Sequence, residues 1–311
     1  MTATVTSRPP TIAANTSARR KFTNNLATML VTASFVVALI PLVWLLYTVI
    51  SRGLHAITRN GWFTHSQRDI TYKDPGGGAY HAILGTFEQV LLCSVISIPI
   101  AILVGVYLVE YGRGWLARTT TFMVDILTGI PSIVAALFIY AVFVTAFGGS
   151  RAGWLVSLAL VMLMIPVIVR TTEEMLKLVP NELREASYAL GVPKWKTILR
   201  IVLPTAFTGI LTGIVLGIAR VAGETAPLLI LVGYSPNING NLFGGFQGSL
   251  PGMINDQVAN LGNTRVLVNG RPVSIHYAAD RMWGAALTLI IIVMLLNIIA
   301  RLIARRSKVT N

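Results

Sequence analysis

Six apolar runs constrain this chain more than any other feature. They fall at 26–50, 90–109, 122–147, 155–169, 205–232 and 283–303, and each is near the roughly 20 residues that carry an α-helix across a bilayer. A backbone inside hydrocarbon must satisfy its own polar groups, so the runs are expected to be helical. The chain reads as an all-α membrane protein of about six transmembrane helices. Its composition agrees, with 54% hydrophobic and 12% charged residues against roughly 25% charged in soluble domains. The first run is too long for a signal peptide and is expected to be a retained helix. Residues 1–24, rich in Thr, Ser, Ala, Pro and Arg, read as a disordered tail. The transmembrane domain then covers 25–306, and 307–311 form a short second tail.

The formal charge of +13 would suit a nucleic-acid partner, but loop charges explain it more simply. With the N-terminus inside, sixteen of the 25 Lys and Arg fall in inside segments and eight in outside ones, with Arg220 inside a helix. That bias puts both termini in the cytoplasm and removes the need for nucleic acid. Two long stretches, 51–80 and 233–280, then lie outside. They serve either as a docking surface for an external partner or as a lid packed on their own helices.

The cytoplasmic stretch 171–204 carries the sharpest pattern. Pro180 and Asn181 can start a helix, Ala186, Ala189 and Leu190 give it an apolar stripe, and Gly191 with Pro193 ends it. An amphipathic stretch from Trp195 to Leu203 follows and leads into the membrane. A helix lying on the lipid surface would be amphipathic too, but it does not account for the spacing of Glu185-Ala186-Ser187, Gly191, Ile201, Leu203 and Pro204.

That spacing resembles the EAA loop of ABC importer permeases, with Ser187 in place of the second Ala. The resemblance implies a type I-like permease fold whose loop helix, carrying Glu185, Ala186, Ser187 and Gly191, couples to a separate ATPase. The chain contains no GxxxxGK[ST] loop and no Gly-Lys pair, so it lacks the cradle for nucleotide phosphates. No HExxH, GxSxG or CxxC pattern occurs. The chain is therefore expected to be a translocation subunit rather than an enzyme. It has no catalytic residues and no metal site, and the partner uses the ATP.

In the fifth run Gly209, Gly213 and Gly217 recur every four residues, a small-residue stripe suited to close helix packing. Arg220 and Glu224 continue that face, at i+3 from Gly217 and then i+4, a spacing that lets opposite charges pair. Arg220 lies fifteen residues beyond Thr205, about 22 Å along a helix. A charge at such depth lines a pathway or closes a structural ion pair. The planar guanidinium fork suits a tetrahedral oxyanion, which makes Arg220 and Glu224 candidate substrate-pathway residues. Pro227 favours a local break.

Further similarity lies in Ala219-Arg220, Gly223-Glu224-Thr225-Ala226-Pro227-Leu228, Tyr107-Leu108-Val109-Glu110-Tyr111 and Ile130-Pro131-Ser132-Ile133-Val134. These segments resemble the PstA family of phosphate ABC transporter permeases. That family implies inorganic phosphate as cargo and a second permease, two ATPase subunits and an external phosphate-binding protein as partners, all at the cytoplasmic membrane. Other oxyanions such as sulfate or molybdate, and an ion-coupled secondary carrier, are the alternatives. A membrane scaffold is a further one, but it leaves Arg220 and Glu224 unexplained. Asp125 is expected to cap the third helix, or else to pair with a loop arginine. His55, His65, His81 and His276 are expected to be solvated, and Cys93 to pack as a small apolar residue.

Overall fold

The computed structural model describes residues 18–261, 265–268, 271–274 and 276–308. The expected tail at 1–17 and the last residues, 309–311, lie outside them. Two units are distinguished, 1–48 and 49–311. The first is helical throughout its described part: α1 (Ala18–Ile57) begins eight residues before the first apolar run, so 18–24 are helix rather than tail.

In the second unit α1 ends, and α2 (Tyr80–Val106) follows, prolonged by a π-helical turn at Tyr107–Tyr111. Next come α3 (Gly114–Gly129) and α4 (Ser132–Ile139), the latter extended by a π segment at Tyr140–Ala146. The succession continues with α5 (Gly153–Lys177), α6 (Asn181–Ala189), α7 (Lys194–Thr197), a π turn at Ile198–Val202, α8 (Leu203–Ala222), α9 (Ala226–Leu231) and α10 (Leu250–Ala259). A two-stranded antiparallel ladder pairs β1 (Arg265–Val268) with β2 (Arg271–Ser274), in the register Arg265–Ser274, before α11 (Tyr277–Lys308).

Among the described residues five helices are long and apolar enough to span a membrane, and a broken pair brings the number to six. The broken pair corrects the expectation of one straight helix at 122–147. α3 and α4 meet at 106°, because Pro131 forces Ile130 to an extended backbone (φ −72°, ψ 125°). The fifth run also breaks. α8 stops at Ala222, and Gly223 to Thr225 are non-helical before α9 restarts with Pro227 in its first turn.

The core forms where α2 packs on α5 and α5 on α8, with α10 and α8 against α11. Leu155, Leu160, Leu163, Met164 and Ile168 of α5 are buried in it, together with Cys93 of α2. α5 is thus the central helix, and its neighbours approach it closely. A Cβ at Gly209 would overlap Met175 and one at Gly213 would overlap Thr171, while one at Gly217 would sit 3.3 Å from Ile168. The glycine stripe therefore faces α5, letting α8 pack against it.

Candidate functional site

The α6 end of the bundle holds the loop singled out by its spacing. α6 is nine residues long and closes on Gly191, which adopts φ +73°. Gly191 N–H donates to the Tyr188 carbonyl (2.9 Å) and Val192 N–H to the Ser187 carbonyl (3.2 Å). This paired pattern satisfies the last carbonyls of a helix and favours glycine at the left-handed position. Nothing lies within 4 Å of a Cβ at Gly191, so backbone geometry rather than crowding calls for glycine there.

Ser187 points the other way. It is buried, and its hydroxyl lies 2.8 Å from the buried Thr197 hydroxyl. Glu185 and Ala186 are exposed, as are the side chains of Leu183, Tyr188 and Leu190, the last 83% accessible. Ile201 lies in the π turn, and Leu203 and Pro204 open α8.

One buried ion pair anchors this helix. Arg184 Nη2 and Nε donate to Glu110 Oε1 at 2.8 and 3.0 Å, and the pair's side chains are only 12% and 5% accessible. Arg184 also donates to the carbonyls of Val179 (2.7 Å) and Leu176 (3.0 Å), at the end of α5. Lys194 Nζ bonds the Glu110 carbonyl and sits 4.6 Å from the Tyr111 ring centroid. Sequence reasoning noted Glu110 only as part of a family-like segment, since its partner lies 74 residues away.

A second network ties α3 to α5. Arg170 bonds Asp125 and also Glu173 (2.8 Å), and Lys177 bonds Glu173 (2.6 Å). Asp125 sits eleven residues into α3 and is not its cap; it pairs with the arginine instead.

Arg220 is exposed near the end of α8 on the side that also exposes Thr212 and Leu216. The expected Arg220–Glu224 pair does not form, because Glu224 falls in the break after Ala222, where helical spacing no longer applies. Among the described residues neither side chain has an ion-pair partner. The two remain neighbours along the chain, at the junction between α8 and α9.

The opposite end is capped by its own long loops. Tyr234 O–H donates to Gln67 Oε1 (2.9 Å), and His81 Nε2 lies 2.8 Å from the Tyr234 hydroxyl. His81 is 1% accessible, which corrects its assignment as solvated: it lies in the first turn of α2, covered by the second loop. Arg281, equally buried, donates to Gln257 Oε1 (3.1 Å) and to the Thr71 carbonyl (2.9 Å). Gln247 enters between α2 and α5. There it accepts from Gln89 (2.8 Å) and donates to Glu88, and Gly85 and Gly153 leave room for this segment. The described parts of stretches 51–80 and 233–280 therefore pack on each other and on their helices. Burial raises the Asp256 carboxyl above the usual range, offset in part by the Gln257 amide and by Arg281. It also raises the Tyr234 phenol.

Comparison with known proteins agrees with this architecture. Residues 97–309 match the family model described as binding-protein-dependent transport system inner membrane component. The chain is 53% identical over 285 residues to the phosphate transport system permease protein PstA 1 of Mycobacterium tuberculosis (strain ATCC 25618 / H37Rv), covering 92% of this chain and 88% of the relative. It is 38% identical over 298 residues to the Yersinia pestis phosphate transport system permease protein PstA, covering 93% and 92%. Among solved structures, a bacterial alginate ABC transporter in complex with an alginate pentasaccharide-bound periplasmic protein shares the fold at TM-score 0.60. Its sequence is 14% identical, with 90% of this chain and 94% of that chain covered. An inward-facing MetNI methionine ABC transporter shares it at TM-score 0.53 and 23% identity, with 72% and 91% covered. The chain is a multi-pass membrane permease of ABC-transporter type, and it belongs to the binding-protein-dependent transport system inner membrane component family, alongside the phosphate permeases named PstA.

Proposed function

We propose that this chain is the translocation subunit of an ATP-driven importer of inorganic phosphate, with both termini cytoplasmic. The observation that carries the reading is Arg220, a guanidinium exposed near the end of a spanning helix, with no ion-pair partner among the described residues. A lone charge in hydrocarbon costs about 2.5–3.5 kcal/mol, so such a residue belongs on a protein-lined, watery path. The side of α8 that presents Arg220 is the side that a second permease subunit would complete. Paired guanidinium donors match a tetrahedral oxyanion, and the names of the relatives favour phosphate over sulfate or molybdate. Glu224, whose backbone N–H donates to the Val221 carbonyl (3.2 Å) just past the end of α8, is a counter-charge that can approach when the α8–α9 junction rearranges.

α6 is the docking helix for a separate ATPase. Its exposed Leu183, Tyr188 and Leu190 supply apolar anchors, and exposed Ala186 lets a partner backbone approach closely. The two subunits of that ATPase close on ATP and displace α6. The π turn at Ile198–Val202 passes the displacement to α8 and so to Arg220. ATP chemistry belongs to the partner, and this chain binds no cofactor. A phosphate-binding protein delivers cargo at the loop-bearing end.

The test is phosphate uptake by the complete transporter carrying Arg220→Gln. Loss of uptake in a complex that still assembles supports the pathway role. Normal uptake makes Arg220 a packing residue. Reporter fusions at Asn311 and within 237–248 are expected to report opposite sides of the membrane, and a C-terminal reporter active outside would overturn the orientation.

A further inference from the structure

α6 is joined covalently to α5 through 178–180 and, past Gly191, to α8 through α7 and the π turn. A further link, the Glu110–Arg184 pair, reaches α2. We infer that this pair is a positioning linkage through which displacement of α6 is carried to α2, so that α2 and α8 move together. The inference rests on the reading of α6 as the ATPase-docking helix.

Four observations support it. Arg184 bonds three elements at once: Glu110 at the end of α2, the Leu176 and Val179 carbonyls closing α5, and its own helix through Asn181 Oδ1 (3.3 Å). Lys194, on the far side of the Gly191 turn, grips the same Glu110–Tyr111 dipeptide through a carbonyl and a ring. The segment from α6 to α7 is thus clamped around the end of α2. Glu110 itself sits on a π turn, and the other route out of α6 also passes through one; such turns are frequent at functional sites. Finally, α2 spans the bundle to Gln89 and His81 beneath the opposite loops, so force applied at Glu110 has a continuous helix to travel along.

A pair that merely held the fold would act equally on every activity of the complex. A transmission linkage acts on the ratio of phosphate moved to ATP hydrolysed. The experiment uses the complete transporter, with phosphate uptake and ATP hydrolysis measured on the same vesicles. Glu110→Gln keeps the shape and removes the charge; Arg184→Lys keeps the charge and removes the fork. Each is expected to lower the ratio by about tenfold, the scale of a lost charge-assisted hydrogen bond, with the ATPase still attached. Glu110→Asp is expected to recover part of it. An unchanged ratio, whether both rates hold or both fall together, overturns the inference, as does loss of the ATPase from both variants. Leu190→Glu separates the two ideas. If the ATPase stays attached to that variant, the docking reading fails. If it detaches while the ratio in Glu110→Gln is unchanged, only the linkage fails.

Discussion

The Ser187 hydroxyl lies 2.8 Å from the Thr197 hydroxyl, both buried, and the contact closes the turn around Gly191 from the inside. It gives a physical reason for a serine where the EAA pattern has alanine. The small side chain fits the same space, and the hydroxyl finds a partner ten residues on. Ser187→Ala is expected to destabilise the permease by about 1 kcal/mol by leaving one buried hydroxyl with a poorer partner. Ser187→Ala with Thr197→Val should recover most of that, because removing both partners is nearly neutral. A double-mutant cycle on thermal unfolding in detergent measures the coupling. Additive effects would show that the two hydroxyls do not interact.

The α5–α8 contact makes a graded prediction. Gly213→Leu must displace Thr171 or separate the helices, at a cost of about 1–3 kcal/mol or more. Gly217→Ala meets only the movable side chains of Ile168 and Met164, at 3.3 and 3.4 Å, and should be close to neutral. Melting temperatures in detergent would order the variants, and equal effects at the two positions would contradict the packing described.

Asp256 makes a prediction about pH. Its folded carboxyl holds its proton more tightly than in the unfolded chain, since burial disfavours the charge. Its penalty on stability is absent below the ordinary carboxylate range, grows as pH rises towards the raised folded value, and is constant above it. Asp256→Asn, whose side-chain oxygen can still accept from Gln257 (2.9 Å), should therefore stabilise the loop-bearing end at neutral pH and not in acid. Proteolysis of the 233–280 stretch against pH measures it. Equal protection of variant and parent at neutral pH would contradict the burial argument.

Much of the architecture was legible in the sequence because it rests on local pattern. Apolar runs mark spans, and Pro180, Gly191 and Pro193 punctuate α6 as propensity dictates. The glycine stripe points at its neighbour because four-residue spacing holds as long as the helix does. The same rule failed seven residues beyond Gly217. By periodicity Glu224 belongs to a face of a helix that stops at Ala222; Pro227 marks a break in this run, but not that it falls five residues earlier. Pro131 likewise marks a break without giving its 106° angle. His81, Gln247 and the Glu110–Arg184 pair were beyond reach in another way. Each is defined by a partner 74 to 158 residues distant, and no periodicity encodes such a contact.

The central claim is that this permease imports phosphate at the expense of ATP, along a path that includes Arg220. Its most direct test is the initial rate of radiolabelled phosphate uptake into vesicles bearing the complete transporter, with ATP supplied and the proton gradient collapsed. The account predicts uptake that requires ATP, survives loss of the gradient, is not displaced by excess sulfate, and disappears in an assembled Arg220→Gln complex. Uptake driven by the gradient without ATP, or an assembled Arg220→Gln complex transporting at the parent rate, would contradict it.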